Sequence, residues 1–226
     1  MNRTPSILVD TGFEVDQNGA LTELNMPDVV ATLNSPSKII FKGTTINYIP
    51  SDKAKLQEFI ANNMTSVAYG GSTIGPFNSI TALESLQMNS LETIACAQAT
   101  AFGGMCYGCI NLANVTLPAL KHITDYGGGS EHGCFNGCVS LRIVNLPSII
   151  SIVRTAGTST GCFRKCTNLT SVTLGSEGHP VTSIDSQAFS QCTQADLTIT
   201  VYTSDGNAIS GSPWGATNAT IVWEEA

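Results

Sequence analysis

The chain has 226 residues, 42% of them hydrophobic and only 12% charged, with a formal net charge of −7. That balance excludes a disordered chain and predicts a well-buried interior beneath a surface rich in Ser, Thr and Asn. The 10 Lys and Arg residues are scattered and outnumbered by 17 Asp and Glu, which excludes the clustered basic surface that nucleic acid or an anionic membrane requires.

In chain order, Ile7, Leu8 and Val9 form a short apolar run after Pro5. It is too short for a signal-peptide core and far too short to span a bilayer, so neither an export signal nor membrane insertion is expected. The expected settings are the cell interior, a larger assembly such as a phage particle, or a bacterial surface reached through a leader since removed. Leu21, Leu24, Met26 and Pro27, followed by a strand-like stretch over 39–49, make residues 1–50 either an N-terminal arm or a degenerate first copy of the repeat that follows. After Pro50, Ser51 is a candidate N-cap, and Leu56, Phe59, Ile60 and Met64 recur on one helical face. That spacing predicts a capping helix over 51–64.

From residue 77 onward the chain repeats itself. Residues 77–88 read FNSITALESLQM, 105–118 MCYGCINLANVTLP, 134–147 CFNGCVSLRIVNLP and 162–174 CFRKCTNLTSVTL. Phe77, Cys106, Phe135, Phe163 and Phe189 follow one another at steps of 29, 29, 28 and 26 residues, and Ile80, Cys109, Cys138, Cys166 and Cys192 keep those steps. A fixed period of this length marks a solenoid whose coils share one continuous core. Within a coil, a Val and a Leu two apart point inward from a short strand, Pro118 or Pro147 ends it, and Ile94, Ile123 or Ile152 returns inward afterwards. Three consecutive coils carry an enlarged loop, at 95–105, 124–134 and 153–162, with glycines that imply positive φ or close backbone approach.

Seven of the 8 cysteines follow the same columns. Cys134 and Cys162 share a position with Met105 and Ala188, which neither form disulfides nor bind zinc, so the cysteines read as small buried hydrophobes. Downstream, Leu197, Ile199 and Val201 alternate as a strand, a turn region spans 204–212, and residues 220–223 supply a final strand.

The wording FxxCxxLxxVxLP with a returning Ile, and Ala188 and Phe189 opening the last coil, resembles the BspA-like leucine-rich repeats of bacterial surface proteins and of genes of gut bacteria and their phages. The resemblance covers residue 64 to about residue 201, and the ending SPWGATNATIVW is similar to that family's terminal segment. It implies a β-rich repeat solenoid: a leucine-rich-repeat right-handed superhelix of about five coils with short parallel strands, a helical N-terminal cap and a β C-terminal cap. The expected division is an N-terminal unit at 1–50, the capping helix at 51–64, the solenoid at 65–201 and the C-terminal cap at 202–226. The resemblance further implies adhesion or protein interaction, with no catalytic residues to carry over.

The residues themselves point the same way. His122, His132 and His179 have no Ser, Cys or carboxylate at a spacing that specifies a triad, so no enzyme is expected. DYGGGSEH at 125–132 offers Asp125, Glu131 and His132, fewer ligands than calcium or structural zinc demands. CYGC at 106–109 is explained by the repeat rather than by redox chemistry. No metal or cofactor is expected. The contact candidates are Tyr107 and Tyr126 beside glycines, Glu131, His132 and Arg154 on the enlarged loops, and Arg142 on the exposed strand face. That face carries the columns Ala113/Arg142/Thr170, Asn114/Ile143/Ser171 and Thr116/Asn145/Thr173. The expected partner is a protein or glycan, with self-association or incorporation into a larger assembly as the alternative.

Overall fold

The computed structural model describes residues 56–71, 75–99, 104–126, 133–155 and 161–226, together with four strands among the first 55 residues. Those strands are β1 (Ile7–Val9), β2 (Phe13–Val15), β3 (Lys38–Phe41) and β4 (Thr45–Ile46). Next come β5 (Glu58–Ile60), β6 (Ser66–Gly71), β7 (Ser85–Gln87), β8 (Thr93–Ala99), β9 (Asn114–Thr116) and β10 (His122–Asp125). The remainder are β11 (Ile143–Leu146), β12 (Ser151–Arg154), β13 (Ser171–Leu174), β14 (Ser183–Ile184), β15 (Thr198–Thr203) and β16 (Thr220–Glu225).

The strands form a β-solenoid with two stacked faces. One face runs β9-β11-β13-β15-β16 and is preceded by β1-β2-β3-β5-β7; the other runs β4-β6-β8-β10-β12-β14. All pairings are parallel except the antiparallel β1–β2. Register follows the repeat: Val115, Val144, Val172 and Ile199 are Cα partners in turn, as are Ile94, Ile123, Ile152 and Ile184 on the other face. These residues are buried, which confirms the inward assignments.

The third side of each coil is the turn carrying Phe and Cys. The residue before the Cys, or before Ile80 in the first of these turns, sits at positive φ in Ser79, Gly108, Gly137, Lys165 and Gln191. Neighbouring turns are hydrogen-bonded, as in Phe77 N–H to Met105 C=O at 2.9 Å, Cys106 to Cys134 at 2.7 Å and Phe135 to Cys162 at 2.7 Å. The rings of Phe135, Phe163 and Phe189 stack through the interior with centroids 5.3 and 5.2 Å apart, and Trp214 then Trp223 continue the series.

Two expectations are corrected. The helix over 51–64 is absent from its described part: Leu56 and Gln57 lie outside regular structure, Glu58–Ile60 is a strand, and the described residues contain no helix. The reason is that Leu56, Phe59, Ala61, Met64 and Val67 reproduce the coil spacing of Leu112, Val115, Leu117, Leu120 and Ile123, and every one of these ten is buried. Steps of 3, 2, 3 and 3 overlap a helical face over a few residues, and pairing of Phe59 with Leu86 decides for the strand. The count of about five coils is also revised. Among the described residues, four turns are complete with the Phe–Cys turn and both strands, at 75–99, 104–125, 133–154 and 161–184. The next passes through the Phe189 turn and β15 but runs to β16 without returning a strand to the second face. The candidate motif at Leu21 to Pro27 lies outside the described residues.

The cysteine column has a role beyond filling space. The Sγ of Cys109, Cys138, Cys166 and Cys192 donates to the backbone carbonyl of Phe77, Cys106, Phe135 and Phe163, at 3.0, 3.1, 3.3 and 3.2 Å. Each thiol thereby adds a second, weak donor to a carbonyl of the preceding coil that already accepts an N–H within its own turn, and alanine would remove that link between coils. Seven cysteines are buried and free, and burial pushes the Cys138 and Cys166 thiols far up and that of Cys192 to about 12. Native protein should therefore leave at least seven of the eight thiols unlabelled by a maleimide until denaturant is added. Rapid labelling of several thiols, counted by mass spectrometry, would contradict the packing.

Candidate recognition surface

The enlarged loops leave the second sheet and re-enter the turns at one corner of the solenoid. Their described bases stack directly. A Cβ placed on Gly75, Gly104, Gly133 or Gly161 would run into the backbone carbonyl of Gly104, Gly133, Gly161 or Gln187 respectively. This is the close backbone approach implied by the glycines.

At the described ends of the loops lies a charged column. Asp125 and Arg154 are Cα partners at the ends of β10 and β12, two residues after the inward Ile123 and Ile152. Arg154 reaches Asp185 at 3.2 Å, with the two side chains only 13% and 14% exposed. Asp185 also accepts the Gln187 N–H at 2.9 Å. Asp125 is buried, and its two carboxylate oxygens accept the N–H groups of Tyr126 at 3.0 Å and Cys134 at 2.9 Å, from the two ends of the loop between them. Its carbonyl accepts from Thr155.

Burial pushes the Asp125 carboxyl up to about 6; the hydrogen bonds from Cys134 and Tyr126 and the nearby Arg154 pull it down, while Asp185 adds to the rise. An acid whose folded value exceeds its unfolded value of 3.8 binds a proton more tightly when folded. Stability from this group therefore rises as pH falls from above 6 towards 4, by at most about 3 kcal/mol. Thermal melts should show Asp125→Asn lacking that part of the pH dependence. An identical pH profile in the two proteins would remove Asp125 from the account.

The sequence-predicted contact residues fare differently. Arg142 is exposed on the first face, Tyr107 is half-buried, and Tyr126 is half-buried with its side chain packed on the core. Arg154 is turned into its ion pair, so it supports the corner rather than projecting from it. Glu131 and His132 lie outside the described residues. Asp125 serves as a tether for backbone amides, a role its place in the Gly-rich stretch did not reveal; the available signal was a charged residue at an inward strand position in two successive coils. A pairing of His122 Nδ1 with Ser151 Oγ at 2.9 Å, one repeat apart, was also missed. No carboxylate among the described residues completes a triad with it, and no helix among them is long and apolar enough to cross a membrane.

Comparison with curated proteins and with solved structures finds no match. A family model does match: the BspA type leucine rich repeat region, in 6 copies over residues 76–212. Repeats of this kind generally mediate protein interactions. The matched span, the period and the stacked parallel strands agree, and the chain belongs to the BspA-type leucine-rich repeat family.

Proposed function

We propose that the protein is a non-catalytic recognition or adhesion module that presents the corner bearing the enlarged loops to a protein or glycan. The observation that carries this reading is the charged column at the described ends of the loops. The last complete coil passes from Ile184 to the Phe189 turn without an enlarged loop, so the stack does not need the extra residues. Yet a buried carboxylate with a raised pKa is retained to tie the two ends of one loop together. Burying that charge is unfavourable by itself, and such expense is characteristic of sites under functional constraint. The alternative, a structural component of a phage particle docked through its N-terminal segment, has less support, because β2, β3 and β4 pair into the two sheets of the stack.

The test replaces residues 127–132 with a short Gly linker, leaving Asp125, Tyr126 and Gly133 in place, and measures binding to a glycan array and to a panel of extracellular-matrix proteins. The reading expects at least one ligand of the intact protein to be lost with melting unchanged. Ligands retained in full by the trimmed protein would move recognition to the strand faces.

A further inference from the structure

The repeat supplies an internal control for every surface position, because the same backbone place occurs in coil after coil. In the position after the turn Cys, or after Ile80 where it replaces Cys, the residues are Thr81, Ile110, Val139, Thr167 and Thr193. On the first face, Ile143 lies in register with Asn114, Ser171, Thr198 and Thr220. Ile110, Val139 and Ile143 are exposed by 42%, 38% and 46%, and they are the exposed large hydrophobics among the described residues. Polar residues fill these places in other coils, so stacking does not require the apolar ones. Their clustering in the second and third complete turns marks a surface that water does not always cover.

A charge pattern says what covers it. The position after the inward Leu reads Glu84, Ala113 and Arg142 in the first three complete turns, with Glu84 and Arg142 exposed. The Arg142 N–H bonds the Ala113 carbonyl at 2.8 Å, and β7 packs beside β9, so the three form one column. Neither Glu84 nor Arg142 makes an ion pair among the described residues. Acid, neutral and base at equal spacing are complementary to their own reversal.

We infer that this face is a two-fold interface with a second copy of the chain, its axis running along β9 in the plane of the face. That operation keeps each column and reverses coil order. Glu84 then faces Arg142 of the second copy, Arg142 faces its Glu84, and Ala113 meets Ala113 between them. Ile110 meets Ile110 near the axis, while Val139 and Ile143 face the smaller Thr81 and Ser85 of the second copy. Apolar contacts at the centre with a charged pair on either side is a usual interface arrangement. This interface is separate from the loop corner, so it stands or falls independently of ligand recognition.

The experiment is sedimentation equilibrium across a concentration series on the wild type, Glu84→Arg, Arg142→Glu, the double reversal, and Ile110→Ser, with a melt of each to confirm folding. A monomer–dimer equilibrium is expected for the wild type. Each single reversal should weaken it about tenfold or more, the double reversal should restore it, and Ile110→Ser should weaken it without changing its salt dependence. A wild type monomeric throughout, single reversals without effect, or a double reversal no better than the singles would each overturn the interface.

Discussion

Phe135→Ala should lower stability by about 3–5 kcal/mol, the range for emptying a large buried site. Phe135 is fully buried, and its ring lies parallel to that of Phe163 at 5.3 Å. Removing it opens a void between two coils and takes away a stacking partner as well as buried area. Because each coil touches only its neighbours, protection of amides in the flanking turns should fall with it. Denaturant titration gives the number, and a loss under about 1 kcal/mol would show that the ring column is not the core of the stack.

Gly133→Ala should be comparably damaging, at about 3 kcal/mol or more. Gly133 has φ +121, where L residues are strained, and its added Cβ would strike the Gly161 carbonyl and lie 2.9 Å from the Asn136 Cβ. Both obstacles belong to the adjoining coil or to the turn itself, so neither swings away as the tip of a long side chain would. Gly178 separates the two causes. It also has positive φ, +76, but nothing lies within 4 Å of its added Cβ, so Gly178→Ala should cost only about 1 kcal/mol. Equal losses at the two positions would mean that crowding between coils contributes little.

The core was legible because a stacked fold writes the same spacing repeatedly. Val115, Val144 and Val172 share a strand position, and Ile94, Ile123 and Ile152 share another, so each copy supports the assignment of its neighbours. The same property misled at residues 56–64. There a single copy stands without its Phe–Cys turn wording, and Leu56, Phe59, Ile60 and Met64 satisfy a helical face nearly as well as a coil. The thiol-to-carbonyl bonds were hidden for a different reason. Column substitution shows that a residue is buried, whereas a hydrogen bond to the preceding coil depends on how closely the turns approach. The role of Asp125 was not legible because sequence gives proximity along the chain, and its partners, the amides of Tyr126 and Cys134, are set by where the loop returns.

The coils stack in parallel and in register, and one distance tests that arrangement most directly. Asn114, Ile143, Ser171, Thr198 and Thr220 are successive register partners across β9, β11, β13, β15 and β16. Asn114 and Thr220 are exposed, so Asn114→Cys and Thr220→Cys can carry spin labels while the buried native thiols stay shielded. Four strand spacings put their backbones about 19 Å apart. A narrow label-to-label distribution centred near that value, widened only by the label arms, is the expected result; a distribution centred beyond about 30 Å would contradict the stack.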